Sequence, residues 1–147
     1  EYRIHRYDHD KRSTDYGAEA VEAMAQLAGA APEQIFKTLV VELDGKVLAT
    51  AVVPVPRQLS LKAVAKALDA SKAVMGDAAA VQRSTGYVLG GVSPVGQKTS
   101  LPTVVDQSAM EWATVCVSAG KRGLEIELAP ADLVAVTGAR VVDLTDR

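Results

Sequence analysis

Residues 38–55 constrain the fold most. Two runs rich in β-branched residues, Thr38 to Leu43 and Lys46 to Val55, are separated only by Asp44-Gly45. Asp-Gly tolerates the positive φ angles of a two-residue hairpin turn, so the runs read as adjacent antiparallel strands. In that register Lys37 opposes Val52 and shares a strand face with Leu39, Val41 and Leu43. On pattern alone Lys37 is either a functional cation or a stem that packs on the face while its ammonium snorkels to water. A second hairpin is expected over Trp112 to Ser118 and Leu124 to Leu128, around Gly120-Lys121-Arg122-Gly123. Pairing Ala119 with Leu124 sets Ser118 opposite Glu125 and Cys116 opposite Glu127 on one face, with Leu124, Ile126 and Leu128 on the other. The first of these faces is either a polar cluster in a pocket or a plain solvent face.

Helices alternate with these hairpins. Tyr16 to Ala28 carries Val21, Met24, Ala25 and Ala28 at helical spacing and stops at Gly29. Ser60 caps a helix bearing Leu61, Val64, Ala65 and Leu68, and Asp77 caps another after a short strand around Val74. Pro130 opens a helix that ends near Gly138, while Tyr2 to Tyr7 and Arg140 to Leu144 read as strands. Gly86 to Pro102 is a loop broken by turns. Hairpins between helices argue for an α+β fold with a mixed, largely antiparallel sheet and against a doubly wound parallel one.

At 147 residues the chain fits a single domain over 1–147 with a core of its own. Cys116 is the one cysteine, which excludes an internal disulfide and a cysteine-rich zinc site and suits a reducing compartment. No apolar run approaches a membrane-spanning length and none resembles a cleavable signal, so a soluble cytoplasmic protein with no membrane partner is expected. The start at Glu1 rather than methionine points to natural N-terminal residues outside the chain. A net charge of −2 argues against indiscriminate nucleic-acid binding. A local basic patch is left open by Arg83, Lys98, Lys121 and Arg122, all in glycine-bearing stretches.

Familiar catalytic motifs fail on detail. Gly91 to Lys98 reads G-V-S-P-V-G-Q-K, and Gln97 stands where a phosphate loop needs its lysine. Around Ser93 the second glycine of a nucleophile elbow is missing, and Pro94 removes an N–H where an oxyanion hole would want one. His5 and His9 fall on a strand and the loop after it, without a metal-ligand pattern, so no metal is expected. Cys116, mid-strand, reads as a packed thiol.

Three longer segments resemble one family. Ile35-Phe36-Lys37-Thr38-Leu39, then Gln82-Arg83-Ser84-Thr85-Gly86-Tyr87 running on to Gly90-Gly91-Val92-Ser93-Pro94-Val95-Gly96-Gln97-Lys98, and Val117-Ser118-Ala119-Gly120-Lys121-Arg122-Gly123-Leu124-Glu125-Ile126-Glu127-Leu128 are together similar to the YbaK/EbsC family. The resemblance spans nearly the whole chain. It implies a mixed sheet curled into a barrel-like core with flanking helices. The implied activity is that of a free-standing relative of the prolyl-tRNA synthetase editing domain, an aminoacyl-tRNA deacylase that hydrolyses mischarged Cys-tRNA(Pro). By position it makes Lys37 the essential lysine and Gly91 to Pro94, preceded by Gly90, the G-x-x-P loop. It also places Tyr7, Tyr16, Thr38, Ser93, Pro94, Ser118 and Glu125 at substrate-binding positions. Tyr16 stands where phenylalanine is frequent and Glu125 where aspartate is frequent, changes that bear on pocket dimensions.

With the usual nucleophiles rejected, the resemblance implies a mechanism that draws on the substrate. Lys37 pairs with a phosphate near the acceptor end, and Gly90 and Gly91 N–H groups stabilise the oxyanion. The thiol of the cysteinyl group attacks its own ester. Water attack with Glu125 as base is the rival. Arg83, Lys98, Lys121 and Arg122 are the tRNA-contact candidates, proline tRNA is the expected partner with prolyl-tRNA synthetase as a second, and no cofactor is called for. Two alternatives stay open, an inactive tRNA- or synthetase-binding adaptor and a deacylase for another small amino acid such as alanine.

Overall fold

The computed structural model describes residues 1–88 and 91–146. Along the chain these form β1 (Tyr2–Arg6), α1 (Tyr16–Ala28), β2 (Phe36–Leu43), β3 (Val47–Pro54), α2 (Leu61–Ala67), β4 (Ala73–Met75), α3 (Ala78–Thr85), β5 (Thr103–Asp106), β6 (Val115–Ser118), β7 (Leu124–Leu128), α4 (Pro130–Thr137) and β8 (Arg140–Val142). One sheet has the order β4-β2-β3-β5-β8, antiparallel as far as β3 and parallel from β3 to β8. The other, β1-β7-β6, is antiparallel throughout. They meet where Ile35, just ahead of β2, forms a parallel bridge with Cys116 of β6. The fold is the expected mixed α+β arrangement.

The β2–β3 hairpin forms where its turn chemistry places it, with φ of 54° at Asp44 and 66° at Gly45. Its register differs by one residue. The ladder resumes at Leu43 opposite Val47, so Lys46 is an extra turn residue and Lys37 opposes Val53 rather than Val52. Hydrophobic patterning fixes a register only where the two faces of a strand differ. Ala49 to Pro54 are buried without interruption, so the pattern of β3 does not distinguish its two faces. The turn itself is tied sideways: the Asp44 carboxylate accepts the N–H groups of Ser71 at 3.0 Å and Lys72 at 2.9 Å.

Three further differences are local. β5 was not legible, because Thr103 to Asp106 is a four-residue buried run between Pro102 and a short 3-10 turn, too brief to show a period. That same turn, Gln107–Glu111, delays the start of β6 from Trp112 to Val115. On α1 the buried row runs through Ala20 and Met24, and Ala25 faces solvent. Gly17 allows that approach, since a Cβ there would sit 2.9 Å from Val55 Cγ1.

Expected caps are present. Ser60 Oγ accepts the Ala63 N–H at 3.1 Å and an Asp77 carboxylate oxygen that of Ala80 at 3.2 Å. α2 covers Val41, Leu43, Ala49 and Ala51, forming the main apolar core on the sheet face that also carries Lys37 and Leu39. Phe36, Val52 and Val105 face the other way, onto β6, β7 and Leu133 of α4. α1 docks through Ala20 and Met24 on Ile35 and Cys116. That docking roofs the row of β6 and β7 that carries Ser118 and Glu125.

Candidate active site

Where β2 begins, beside β6, β7 and α1, a cavity of about 310 Å³ brings together Tyr7, Tyr16, Lys37, Thr38, Ser118 and Glu125. The fold supplies each for a local reason. β6 and β7 pair in the expected register, Ser118 opposite Glu125 and Cys116 opposite Glu127. β1 extends that sheet, and beyond its end the Tyr7 N–H donates to the Gly123 carbonyl at 2.9 Å. Gly123 has φ of 84° and a Cβ would fall 2.4 Å from the Tyr7 oxygen, so only glycine brings the turn this close. Tyr16 opens α1, whose N-cap Asp15 accepts the Ala18 N–H at 3.1 Å. The Arg122 guanidinium lies 4.3 Å from the centre of the Tyr16 ring, a cation–π contact at one wall of the cavity.

The interior mixes polar groups with apolar walls, among them Ala20, Phe36, Leu39, Val55 and Val92. Glu125 is 5% exposed, and burial pushes its carboxyl up to about 8. The hydroxyls Thr38 Oγ1 and Ser118 Oγ are buried with no hydrogen-bond partner among the described residues. A buried hydroxyl left unpaired costs about 1–3 kcal/mol, so both are open to hydrogen bonds from water or from a bound molecule. Lys37 is half-buried; burial lowers its ammonium pKa, and the nearby Asp15 opposes that shift. The Tyr7 hydroxyl is raised to about 12, first by burial and then by the charges of Glu125 and Glu19. A cation, a phenol that stays protonated, a carboxyl titrating near neutrality and two unpaired hydroxyls therefore converge on one small volume.

The G-x-x-P loop contributes less directly than its motif implies. Gly90 lies outside the described residues. The Gly91 N–H is taken up by the Val88 carbonyl at 2.9 Å, so it is not a free oxyanion donor. Gly91 acts instead through its missing side chain: a Cβ would stand 2.7 Å from Lys121 Cα, so glycine lets the loop lie against the β6–β7 turn. Ser93 and Pro94 also depart from expectation. Ser93 is buried, with Oγ accepting the Val95 N–H at 3.1 Å, and Pro94 lines a separate hollow beside Thr137. Among the described residues of the loop, Val92 lines the main cavity.

Tyr87, which sequence reasoning passed over, ties this region together. Its hydroxyl lies 2.9 Å from each of the Val95 and Gly96 carbonyls, and a Cβ on Gly120 would stand 3.0 Å from its ring. Around that hub lie the basic candidates. Lys121 and Arg122 are in the turn, while exposed Lys98 donates its N–H to the Thr85 carbonyl at 2.9 Å, at the end of the helix that carries Arg83.

Cys116 is fully buried against α1, and burial, followed by the charges of Glu127 and Glu125, pushes its thiol up to about 12. Such a thiol is inert. The histidines are engaged elsewhere: His5 Nε2 lies 2.9 Å from Glu127 and His9 Nδ1 lies 2.6 Å from Glu19. Neither ring is among the cavity's lining residues.

The cavity thus sets Lys37, the carboxyl groups of Asp15 and Glu125 and several hydroxyls along a partly apolar wall, with no activated side-chain nucleophile among its described lining. Residues 16–136 match the family model of the aminoacyl-tRNA editing domain, and the chain belongs to that family. It is 36% identical over 128 residues to a protein of Enterococcus faecalis provisionally named Cys-tRNA(Pro)/Cys-tRNA(Cys) deacylase EbsC, spanning 87% of this chain and 78% of that one. Its fold matches the crystal structure of a protein provisionally described as a trans-editing enzyme for prolyl tRNA synthetase. The TM-score is 0.85 at 27% identity, over 99% of this chain and 87% of that one. The class of reaction is aminoacyl-tRNA deacylation in translational proofreading.

Proposed function

We propose that residues 1–147 act as one editing unit that clears cysteine from proline tRNA, with the cysteinyl thiol as the attacking group. The observation that carries this reading is the cavity itself. Its interior offers hydroxyls that find no partner among the described residues and a buried carboxyl, but the protein's thiol is sealed under α1. In the proposed step the substrate sulfur bonds to the ester carbonyl carbon and the bond to the ribose 3′ oxygen breaks. The thiol proton ends on that departing oxygen, and cysteine leaves as a cyclic thioester. Intramolecular attack lowers the barrier by removing the cost of bringing two reactants together.

Lys37 is the group for a phosphate near the acceptor end, with its stem along Leu39 on the β2 face. Ser118 and Thr38 hold the aminoacyl group by hydrogen bonds they otherwise lack. With its pKa pushed up to about 8 by burial, Glu125 favours the protonated form at neutral pH, which suits it to donate a hydrogen bond rather than to abstract a proton from water. Gly91 is a positioning residue that holds the loop on the turn. Arg83, Lys98, Lys121 and Arg122 are the proposed contacts to the tRNA backbone near the site.

Prolyl-tRNA synthetase is a proposed partner, supported by the description of the matched crystal structure. The proposed compartment is the cytoplasm, where charged tRNA is used; no helix among the described residues is long and apolar enough to cross a membrane. Incubation with Cys-, Ala- and Pro-charged proline tRNA tests the reading. Loss of the cysteinyl ester well ahead of the other two is expected, and equal loss of all three contradicts the choice of cysteine.

A further inference from the structure

The chain carries a second basic surface, away from the cavity. A hollow of about 460 Å³ between α2 and the chain leading into β4 is edged by Lys62, Lys66 and Lys72, and its lining contains no carboxylate. All three lysines are exposed, and none forms an ion pair among the described residues. Lys62 and Lys66 stand one helical turn apart, an arrangement that repels within the isolated protein. The Asp44 carboxylate accepts the Ser71 and Lys72 N–H groups and offsets part of the field at Lys72, whereas none of the hollow's own lining residues is acidic. In a chain of net charge −2, three clustered and unpaired lysines form a local field that favours an anion.

Position gives the field its meaning. α2 packs on the face of β2 that bears Val41 and Leu43, the face on which Lys37 also lies. Lys72 immediately precedes Ala73, which pairs with Leu43 at the far end of the same strand. From Lys37 to Leu43 the strand advances roughly 20 Å. The two basic sites therefore sit on one side of one sheet, too far apart for a single nucleotide and close enough for one extended polyanion. We propose that Lys62, Lys66 and Lys72 contact the phosphate backbone of the tRNA beyond its 3′ end, while Lys37 holds the reacting terminus. This inference rests on the deacylase reading of the cavity. It adds a surface that fixes the orientation of the RNA and carries no sequence information of its own.

The test uses the whole chain with K62E/K66E/K72E, and K62Q/K66Q/K72Q as a milder control. Affinity for uncharged tRNA is measured across a salt series, and deacylation is measured on whole charged tRNA and on a short charged fragment limited to the last few nucleotides. For the charge-reversed protein the expected results are a KM for whole tRNA raised about tenfold or more, an unchanged kcat, and a salt slope shallower by roughly two to three. The glutamine variant should fall between parent and reversed protein, and all three should cleave the short fragment at the same rate. An unchanged KM and slope, or an equal loss on the short fragment, overturns the proposal. Should the parent cleave no charged ester at all, the deacylase reading fails, and the affinity measurements with uncharged tRNA still decide the role of the lysines.

Discussion

The two hairpins share a topology and divide the work. β2–β3 is apolar on both faces through its middle, with Val41, Ala49, Ala51, Val52 and Val53 all fully buried, and it places its functional residues, Lys37 and Thr38, at one end. β6–β7 turns a polar row inward, with Ser118 and Glu125 under α1 rather than in water. The first hairpin secures the fold through a core on both faces; the second turns polar groups inward at a cost the rest of the core must offset. A buried row that lowers stability is kept where it meets a ligand.

The largest effect that would break this division is expected at Lys37. Lys37→Ala should lower deacylation at least about a hundredfold with the melting temperature unchanged within a few degrees, because its charge lies beyond the apolar middle of β2. Lys37→Arg should restore only part of the rate, since a planar fork does not reproduce a compact ammonium. Single-turnover rates beside thermal melts check both. A Lys37→Ala protein with near-normal turnover would return Lys37 to a stem packed on the sheet.

Glu125 sharpens the comparison through pH. Its folded pKa is raised from 4.5 to about 8, so the folded state binds the extra proton and the associated stability is fully present below about pH 4.5. It is lost as pH rises towards 8. Glu125→Gln removes the titration, and its melting temperature should gain on the parent by at least a few degrees between pH 5 and pH 8.5. A constant difference between the two proteins across that range would mean that Glu125 is not desolvated. The smallest effect is expected at Cys116. Cys116→Ser should cost about 1–2 kcal/mol of stability and leave turnover within a fewfold, and a folded but inactive protein would restore a protein-borne nucleophile.

How much of this was legible follows the same division. The first hairpin announces itself through Asp44-Gly45 and its β-branched runs, whereas the length of its turn is set by hydrogen bonds from Ser71 and Lys72, far along the chain. The pairing of Ser118 with Glu125 was readable by counting back from the glycines of the turn. Whether their face met water or protein was not, because α1 closes over it through Ala20 and Met24, contacts with no local signature. Lys37 had a pattern but no role until the family resemblance supplied one. The Gly91 motif suggested an oxyanion donor, and the structure shows a close approach of two backbones instead. Tyr87 stood in a segment that carries the family resemblance, but nothing in its residue type or spacing gave it a role. The lysines on α2 were visible as letters, but their nearness to the end of β2 depends on the pairing of β4.

The central claim is that the substrate thiol is the nucleophile, and exchanging that one atom tests it most directly. Seryl and cysteinyl esters of proline tRNA differ little in size, so a cavity that selects by fit alone separates them by no more than about 1–3 kcal/mol. If the thiol attacks, single-turnover cleavage of the seryl ester should be at least about a hundredfold slower than that of the cysteinyl ester at similar binding. Comparable rates for the two esters, together with an inactive Glu125→Gln protein, would contradict the account and make water the attacking group with Glu125 as its base.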